Sequence, residues 1–383
     1  MIAKIAIPII IAIVLGALYF DRYYCRKWQW WKRLLVWLLP LTSVAFTIWM
    51  ARQPDYFPDD IRVQNAYLHV LCFYVVPVFL VAFCGTMGLL LKKRRKGEHI
   101  GWSIALLMVL VYAYGTFVGF NKLEVKHLVL TFDDLPEQFD GYRIVQFSDA
   151  HVGTLVGARA DILRRAVDSI NALRADAVVF TGDLQNKQPS EVEPHKKLLS
   201  SIHARDGVYA VFGNHDYCVY IGSDDPFVHS AQMGKTTGIY EEMGWILLTN
   251  SRQRLRRDSA SLVIAGMEND SQNERFPKLG NINSTLYGVS RDEFVVLLEH
   301  DPTAWRRLIL PHCHAQLTLS GHTHGGQFEL FGWSPASFIY REYEGLYRVG
   351  NRQLYVSRGI GGVVPFRFGA AGEIVEITLK RAK

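Results

Sequence analysis

The sequence predicts an α/β domain preceded by an all-α bundle of four transmembrane helices. Three observations support this prediction. The apolar residues of the 383-residue chain are concentrated in its first third, short β-rich runs alternate with an amphipathic stretch after Asn121, and five of those runs end in polar residues of metal-binding type. A chain of this length has room for two or three domains of the usual size. The change in composition predicts a membrane domain at 1–121 and a second domain at 122–383.

The first third contains four apolar segments. A transmembrane helix needs about 20 mostly apolar residues, and the last three segments reach that length readily. Prolines inside them are compatible with membrane helices. The alternative is a signal peptide followed by buried core helices, but "LGALYFDR" offers no clear cleavage site and three more apolar segments follow. The expected spans are Ile5–Phe20, Leu34–Met50, Tyr67–Leu91 and Ile100–Phe120.

The loops between these segments predict their orientation. "DRYYCRKWQWWKR" and "KKRRKGEH" carry five basic residues each, whereas the loop between them, "ARQPDYFPDDIRVQNA", has only two. Basic loops favour the cytoplasmic side of a membrane. The sequence therefore predicts a multi-pass protein of the inner (plasma) membrane, whose N-terminus and second domain face the periplasm or outer surface.

The same loops account for the net charge of +6. They hold ten of the 42 Lys and Arg residues but two of the 36 Asp and Glu, so the rest of the chain has 32 basic and 34 acidic residues. The basic character reports membrane topology, and no nucleic-acid partner is expected. Three of the five cysteines lie in or beside the spans, so the sequence predicts no disulfide framework.

After Asn121 the pattern is typical of an α/β domain. Apolar positions recur at helical spacing in "RADILRRAVDSINALRAD", between two strand-like runs, which predicts a crossover unit. Ligands of open α/β sheets bind beyond the carboxyl ends of strands, and polar residues follow five predicted strands there. The five runs are "YRIVQFSD", "DAVVFTGD", "GVYAVFGNHD", "EFVVLLEHD" and "AQLTLSGHTH".

The polar residues at these strand ends form a mixed set of carboxylates, one amide and imidazoles. Such a set without thiolates suits Mn, Fe, Zn or Ni, with Mn the first candidate, and it contains enough ligands for two ions. The group "PHCHAQ" (311–316) superficially resembles a zinc cluster through His312, Cys313 and His314, but it precedes its strand and is interpreted as a connection. The candidate residues are Asp149, His151, Asp183, Asn214, His215, Asp216, His300, His322 and His324.

The motif order "DxH … GDL … GNHD … H … GHTHGGQ" resembles the calcineurin-like metallophosphoesterase family, in its membrane-associated or exported bacterial branch. The resemblance covers roughly 142–379 and does not include the four spans. It implies a four-layer α/β/β/α sandwich, which makes 122–383 a metallophosphoesterase catalytic domain. "SDAHVG" departs from the family pattern at Ala150, where leucine is usual. No ligand is lost by this change, so at most a packing effect is expected.

The resemblance also implies roles for individual residues. Asp149, His151 and His324 would hold one metal ion, and Asn214, His300 and His322 the other. Asp183 would bridge both. His215 would act as general acid, with Asp216 steering it. The turn in "GHTHGGQ" would direct its two histidines to different ions, with Gly325 and Gly326 leaving room for the turn and for a phosphate.

Two adjacent divalent ions activate water and bind phosphate oxygens, so a phosphoester is the expected substrate, with a phosphodiester of a lipid or cell-envelope compound as the first candidate. Arg358 and Arg367 are weaker candidates for phosphate contact. "GIGGVVPFRFG", with Val363, Val364 and Phe366, is either core packing or an apolar lip that touches lipid.

Three other functions compete with this hypothesis. The first keeps the chemistry in a UDP-sugar-lipid pyrophosphatase on the cytoplasmic face, which requires the opposite topology. The second is a sensor or scaffold with an inactive phosphoesterase domain, although every expected ligand type is present. The third is a transporter, which the small number of charges inside the spans disfavours.

Overall fold

The computed structural model describes residues 2–53, 60–223 and 225–382. The chain divides into two compact units. One comprises Met1–Gly115 with Tyr220–Ser223, and the other comprises Thr116–Val219 with Asp224–Lys383.

The first unit is helical in its described residues. The third apolar segment is one continuous span, because the π-helical residues Leu71–Val75 join its two α-helices. Four helices are long and apolar enough to cross a membrane: Lys4–Cys25, Trp30–Ala51, Ile61–Leu90 and Arg94–Asn121. They coincide with the four predicted spans. The α-helices are α1 (Ile2–Phe20), α2 (Trp30–Ala51), α3 (Ile61–Val70), α4 (Val76–Leu90) and α5 (Arg94–Phe117).

Small residues allow α4 and α5 to approach closely. A Cβ atom on Gly97 would lie 2.2 Å from the carbonyl oxygen of Cys84, and one on Gly88 would lie 3.1 Å from the Cα atom of Gly97. Close backbone approach at glycines is a usual way of packing membrane helices, since lipid supplies no hydrophobic driving force between them. A larger residue at Gly97 would force the two helices apart.

The second unit contains twelve strands in two six-stranded sheets. Sheet A has the order β1-β12-β2-β3-β4-β5 and sheet B the order β10-β11-β9-β8-β7-β6. Its helices are α6 (Ala160–Ala172), α7 (Lys196–Leu199), α8 (Pro226–Glu242), α9 (Ile282–Thr285) and α10 (Leu310–His312). The strands are β1 (Leu123–Phe132), β2 (Arg143–Phe147), β3 (Ala177–Phe180), β4 (Val208–Ala210), β5 (Ile246–Leu247), β6 (Ser251–Arg257), β7 (Ala260–Gly266), β8 (Phe294–Leu298), β9 (Leu317–Ser320), β10 (Gly345–Val349), β11 (Arg352–Val356) and β12 (Gly372–Arg381).

Three apolar clusters define four layers. The first lies between sheet A and its helices, where α6 contributes Ile162 and Ile170 at the spacing that predicted it. The second fills the space between the sheets and includes Ile144 of β2 and Ile264 of β7. The third covers the outer face of sheet B, against the helical turn that contains Trp305. The predicted α/β/β/α sandwich is confirmed.

Strand direction determines where the polar strand ends meet. β2, β3 and β4 are parallel in sheet A, and β8 and β9 are parallel in sheet B. The carboxyl ends of parallel strands lie at one edge of a sheet, so the residues that follow them are brought together. All five predicted strands are present. The "PHCHAQ" residues connect α10 to β9, as the sequence predicted.

Candidate metal centre

The candidate ligands converge where the five strands end. Three overlapping groups of side chains have ligand atoms that all lie within 4.8 Å of one another. His322 and His324 fall in different groups, as the turn in "GHTHGGQ" was expected to arrange. The groups are Asp149 with His151 and His324, Asp183 with His300 and His322, and His151 with Asp183 and His215.

The carboxylate of Asp183 belongs to the group with His300 and also faces His151 of the group with Asp149. Its Oδ2 atom is 3.6 Å from Nε2 of His151 and 3.1 Å from Nε2 of His300. Its Oδ1 atom accepts a hydrogen bond of 2.8 Å from the backbone N–H of His215. One oxygen therefore faces both groups, while the other is fixed by the backbone.

Backbone conformation marks the same residues. Five of the seven candidate metal ligands have positive φ, a conformation that residues other than glycine seldom adopt. Strained backbone clusters at functional sites, where the surrounding structure enforces it. The values are 50° for Asp149, 43° for His151, 62° for Asp183, 76° for His322 and 53° for His324.

Hydrogen bonds between the loops enforce these conformations. The N–H of Asp149 donates to the carbonyl of Gly182 at 2.9 Å, and that of His151 donates to the carbonyl of Asp183 at 3.1 Å. The N–H of His322, from sheet B, donates to Oδ1 of Asp149 at 3.0 Å. The loops that follow β2, β3 and β9 are therefore held as one assembly.

The imidazole rings are oriented by groups outside the candidate ligand set. Nδ1 of His300 lies 2.6 Å from the carbonyl oxygen of Thr181, so it donates there and its Nε2 faces Asp183. Nε2 of His322 lies 3.1 Å from the hydroxyl of Tyr340. Such supporting hydrogen bonds fix the orientation of histidine ligands. Tyr340 was not predicted, because nothing in the sequence distinguishes it from other tyrosines.

The state of the imidazoles fits metal binding. Burial lowers the pKa of His151 to about 3 and holds the pKa of His324 well below its usual range, so both rings are neutral. Within the described residues, both ring nitrogens of His151 and Nδ1 of His324 have no hydrogen-bond partner. Buried polar atoms without partners are costly unless a ligand engages them. Neutral rings with available lone pairs are what a divalent ion requires.

The carboxylate at the centre is held in its charged form. Burial alone would raise the pKa of Asp183, but the neighbouring imidazoles of His300 and His215 outweigh burial and keep the pKa well below its usual range. Burial alone would lower the pKa of His300, but the charge of Asp183 raises it to about 10, so these two groups form a charged pair. A divalent ion bound here would displace that proton, because a histidine ligand is deprotonated.

Asn214 follows β4 and is buried. The residue after it, His215, donates its backbone N–H to Oδ1 of Asp183. The residue before Asn214 leaves no room for a side chain, since a Cβ atom on Gly213 would lie 2.2 Å from Oδ1 of Asp183. The glycine of "GNHD" therefore allows the third loop to approach the second closely.

The expected steering of His215 by Asp216 is wrong. The carboxylate of Asp216 accepts hydrogen bonds of 2.8, 2.9 and 2.8 Å from the backbone N–H groups of Asp183, Leu184 and Gly213. Nδ1 of His215 lies instead 2.5 Å from the carbonyl oxygen of Asn186. Asp216 thus positions the backbone that carries Asp183, and the Asn186 carbonyl orients the imidazole.

The glycines of "GHTHGGQ" are explained by conformation and packing. Gly325 and Gly326 have φ of 59° and 67°, as the turn requires. A Cβ atom on Gly325 would lie 2.6 Å from Oε2 of Glu344, and one on Gly326 would lie 2.5 Å from Oγ of Ser334. A side chain at either position would therefore meet protein atoms. That these glycines also leave room for a phosphate stays a prediction.

The two weaker arginine candidates have structural partners. Arg358 donates through Nε to Glu344 at 2.7 Å and through NH2 to Glu329 at 2.5 Å. Arg367 is fully buried and donates to backbone carbonyls, including that of Gly361 at 2.6 Å. The N–H of Gly361 in turn donates to the carbonyl of Asp149 at 2.9 Å. The segment "SRGIGG" therefore supports the first loop of the site.

The predicted lip is not a free apolar surface. Val363, Val364 and Phe366 are all half-buried. The backbone of this segment is tied to the site turn, since Nε2 of Gln327 donates to the carbonyl of Val364 at 2.9 Å. The core-packing alternative describes this segment better.

Comparison with known proteins is consistent with this geometry. Residues 142–326 match the family described as calcineurin-like phosphoesterase. A Danio rerio protein named "Transmembrane protein with metallophosphoesterase domain" is 30% identical over 328 residues, which cover 81% of this chain and 72% of that protein. The "Uncharacterized metallophosphoesterase YkuE" of Bacillus subtilis is 32% identical over 281 residues, which cover 70% of this chain and 90% of the relative. The "UDP-2,3-diacylglucosamine pyrophosphatase LpxG" of Chlamydia trachomatis is 28% identical over 330 residues, 72% of this chain and 96% of LpxG.

The chain belongs to the calcineurin-like metallophosphoesterase family. It is a metal-dependent hydrolase, and the scaffold hypothesis is not supported. Members of the family use two divalent metal ions, and the His and Asp groups described above are candidates to hold them. The four apolar helices and the relatives named as transmembrane proteins indicate a membrane protein.

Proposed function

We propose that this protein is a membrane-anchored phosphohydrolase that cleaves a phosphodiester or pyrophosphate of a lipid or cell-envelope compound. The observation that carries the proposal is the position of Asp183 Oδ2, which is 3.6 Å from the His151 ring nitrogen and 3.1 Å from the His300 ring nitrogen. A carboxylate that faces two ligand groups is the arrangement that a two-ion hydrolytic site needs.

The groups and the family resemblance together support two ligand sets. Asp149, His151 and His324 would hold the first ion. His300 and His322 would hold the second together with Asn214, and Asp183 would be shared by both. Two divalent ions at these positions supply an activated water and neutralise charge on a phosphate. The mixed O/N donors suit Mn, Fe, Zn or Ni, with Mn as the first candidate.

The protein's own residues supply proton transfer and access. His215 is half-buried, and its Nδ1 is committed to the Asn186 carbonyl. A carbonyl only accepts, so Nδ1 carries a proton, and the ring can protonate a leaving oxygen from Nε2 only when it is doubly protonated. Burial lowers the pKa of His215 and opposes that form, whereas the charge of Asp183 favours it. His322 and His324 are also half-buried, while the other candidate ligands are fully buried. A substrate therefore reaches the site past these three imidazoles.

The class of substrate is inferred from the membrane unit and the relatives. The printed name of LpxG specifies a diacylated, nucleotide-linked sugar pyrophosphate, and 72% of this chain aligns with that protein. A membrane-embedded hydrolase has direct access to lipid-linked phosphates. We assign the membrane domain to 1–121 and the catalytic domain to 122–383.

The proposal predicts metal-dependent phosphoester hydrolysis. The full chain, purified in detergent and stripped of metal, is expected to lose its hydrolysis of bis(p-nitrophenyl) phosphate. Addition of Mn²⁺ is expected to raise the rate of hydrolysis about a hundredfold above that of the stripped protein. Asn214→Ala is expected to remain inactive. Parallel assays with p-nitrophenyl phosphate distinguish diester from monoester preference. Repeating the reactivation with Fe²⁺, Zn²⁺ and Ni²⁺ shows which of these ions restore activity.

The matched control is Asn171→Ala. Asn171 lies near the end of α6, and its side chain donates to the carbonyl of Ser201. It should behave like the unsubstituted protein. Equal hydrolysis with and without metal, by protein shown to be folded, would contradict the proposal.

The topology predicts an extracytoplasmic catalytic domain in the inner membrane. Alkaline phosphatase fused after Lys383 is expected to be active and a fluorescent protein fused there to be dark, because the basic loops anchor the opposite side. The reverse pattern would support the second candidate, a UDP-sugar-lipid pyrophosphatase on the cytoplasmic face, which the similarity to LpxG favours.

A further inference from the structure

Five large apolar side chains stand in solvent just after the "GHTHGGQ" turn. Phe331 is 99% exposed, Phe338 80% and Ile339 76%. Single exposed hydrophobic residues are normal, but a contiguous group marks an interaction surface. Two of them are in contact, since the rings of Trp333 and Phe338 are 5.7 Å apart. All five lie within ten consecutive residues, 330–339. We call this group the apolar rim, and it consists of Leu330, Phe331, Trp333, Phe338 and Ile339.

A tight hairpin holds the tip of the apolar rim outward. Leu330 and Trp333 exchange backbone hydrogen bonds of 2.9 and 3.0 Å, and the two residues between them have φ of 53° (Phe331) and 77° (Gly332). Positive φ at both central positions is typical of a type I′ turn, which asparagine and glycine favour. Phenylalanine is a bulky exception in this conformation. A strained turn that presents an aromatic ring to solvent indicates a function for that ring.

The apolar rim borders the metal centre. Tyr340, which follows Ile339, places its hydroxyl 3.1 Å from Nε2 of His322. In the middle of the segment, the hydroxyl of Ser334 donates to the carbonyl of Gly325 at 2.7 Å. The segment is therefore attached at both positions to the turn that carries two candidate ligands.

Arginines lie beside the apolar rim. Arg306, Arg307 and Arg341 line a cavity of about 390 Å³ together with Ile339. Ion pairs with Asp270 and Glu342 offset two of the three positive charges, and the side chain of Arg341 is 75% exposed. Exposed aromatic rings with arginine at their border are the combination found where proteins meet phospholipid headgroups.

The chain itself tethers the second unit to its apolar helices by a short connection. α5 ends at Phe117 and β1 begins at Leu123, so five residues separate an apolar helix from the first strand of sheet A. Fully extended, that connection spans about 20 Å. A membrane-embedded α5 therefore keeps the second unit close to lipid headgroups.

We propose that the apolar rim inserts into the headgroup region of the bilayer that holds the four apolar helices, and that the arginines beside it contact lipid phosphates. Docking in this way turns the metal centre toward phosphates at the membrane surface. This last consequence rests on the proposed function, whereas membrane insertion of the apolar rim does not.

Photocrosslinking tests the insertion directly. The full chain is reconstituted in nanodiscs of phosphatidylethanolamine and phosphatidylglycerol, with p-benzoylphenylalanine in place of Phe331. The control carries the same group in place of Tyr287, which is 77% exposed and lies over Arg252 of β6. β6 is the edge strand of sheet B opposite β10, the strand that follows the apolar rim.

After irradiation, mass spectrometry is expected to find phospholipid adducts on the peptide that contains position 331, at least tenfold more than on the peptide that contains position 287. Adducts to a second protein chain, equal lipid adducts at both positions, or none at position 331 would each overturn the proposal. Position 338 serves as the probe if the first variant does not fold. The readout needs no hydrolysis, so a failure of the proposed function leaves this test intact.

Discussion

Asp183→Asn is expected to reduce kcat/KM for a phosphodiester by on the order of 10³-fold and to lower the bound metal from two ions per chain to one or none. The physical reason is that one carboxylate oxygen faces both ligand groups, at 3.6 Å from His151 and 3.1 Å from His300. An amide has no net charge, so it shares two cations poorly. Metal content is measured by elemental analysis of the purified full chain, and activity by steady-state kinetics.

The matched control is Asp206→Asn. Asp206 lies before β4, at the opposite edge of the sheet from the site, and accepts a hydrogen bond of 2.9 Å from the Tyr142 hydroxyl. This variant should keep both ions and most of the activity. If Asp183→Asn retained two ions and near-normal turnover, the shared-carboxylate arrangement would be wrong. Thermal unfolding of both variants separates loss of metal from loss of fold.

His215→Gln is expected to slow hydrolysis of an alkyl phosphodiester by about 10²- to 10⁴-fold while both metal ions remain bound. The ring is oriented by the Asn186 carbonyl at 2.5 Å and reaches solvent beside the ligands. An alkoxide leaves slowly without a proton, whereas p-nitrophenolate leaves readily unaided. The loss on a p-nitrophenyl ester should therefore be much smaller than the loss on the alkyl ester.

His203→Gln is the control for this substitution. His203 is exposed, and its Nδ1 interacts with the carbonyl of Ser201 at 3.0 Å, away from the strand ends that form the site. It should show full activity on both esters. Equal losses on both esters for His215→Gln would indicate that the ring positions substrate or metal and does not supply a proton.

The candidate ligands could be predicted because their signals are local. Asp149, Asp183 and His300 each come two or three residues after the end of an apolar strand, and parallel strands place such positions at one edge. The same reasoning failed to separate Asp183 from Asp216, which both follow strands within polar motifs. The carboxylate of Asp216 accepts hydrogen bonds from the backbone N–H groups of residues 183, 184 and 213. The first two of these lie about thirty positions before Asp216 in the chain. Only folding brings them together.

Supporting residues were missed for a similar reason. Tyr340 contacts His322, and Arg367 donates to the carbonyl of Gly361, whose N–H donates to the carbonyl of Asp149. Neither residue lies in a motif with metal-binding residue types. Their roles come from contacts between distant segments, which neither residue type nor spacing predicts.

The sequence by itself determined the four apolar helices, the five strands with polar ends and the types of metal ligand. These features depend on hydrophobic periodicity and on side-chain chemistry, which are properties of short segments. The tertiary structure alone decided which N–H groups the Asp216 carboxylate meets, which glycines pack against protein atoms, and which apolar residues remain exposed. Val364 and Phe331 are equally hydrophobic in character, yet one is half-buried and the other is 99% exposed. Burial depends on what the rest of the chain packs against a residue, and that information is absent from any short stretch of sequence.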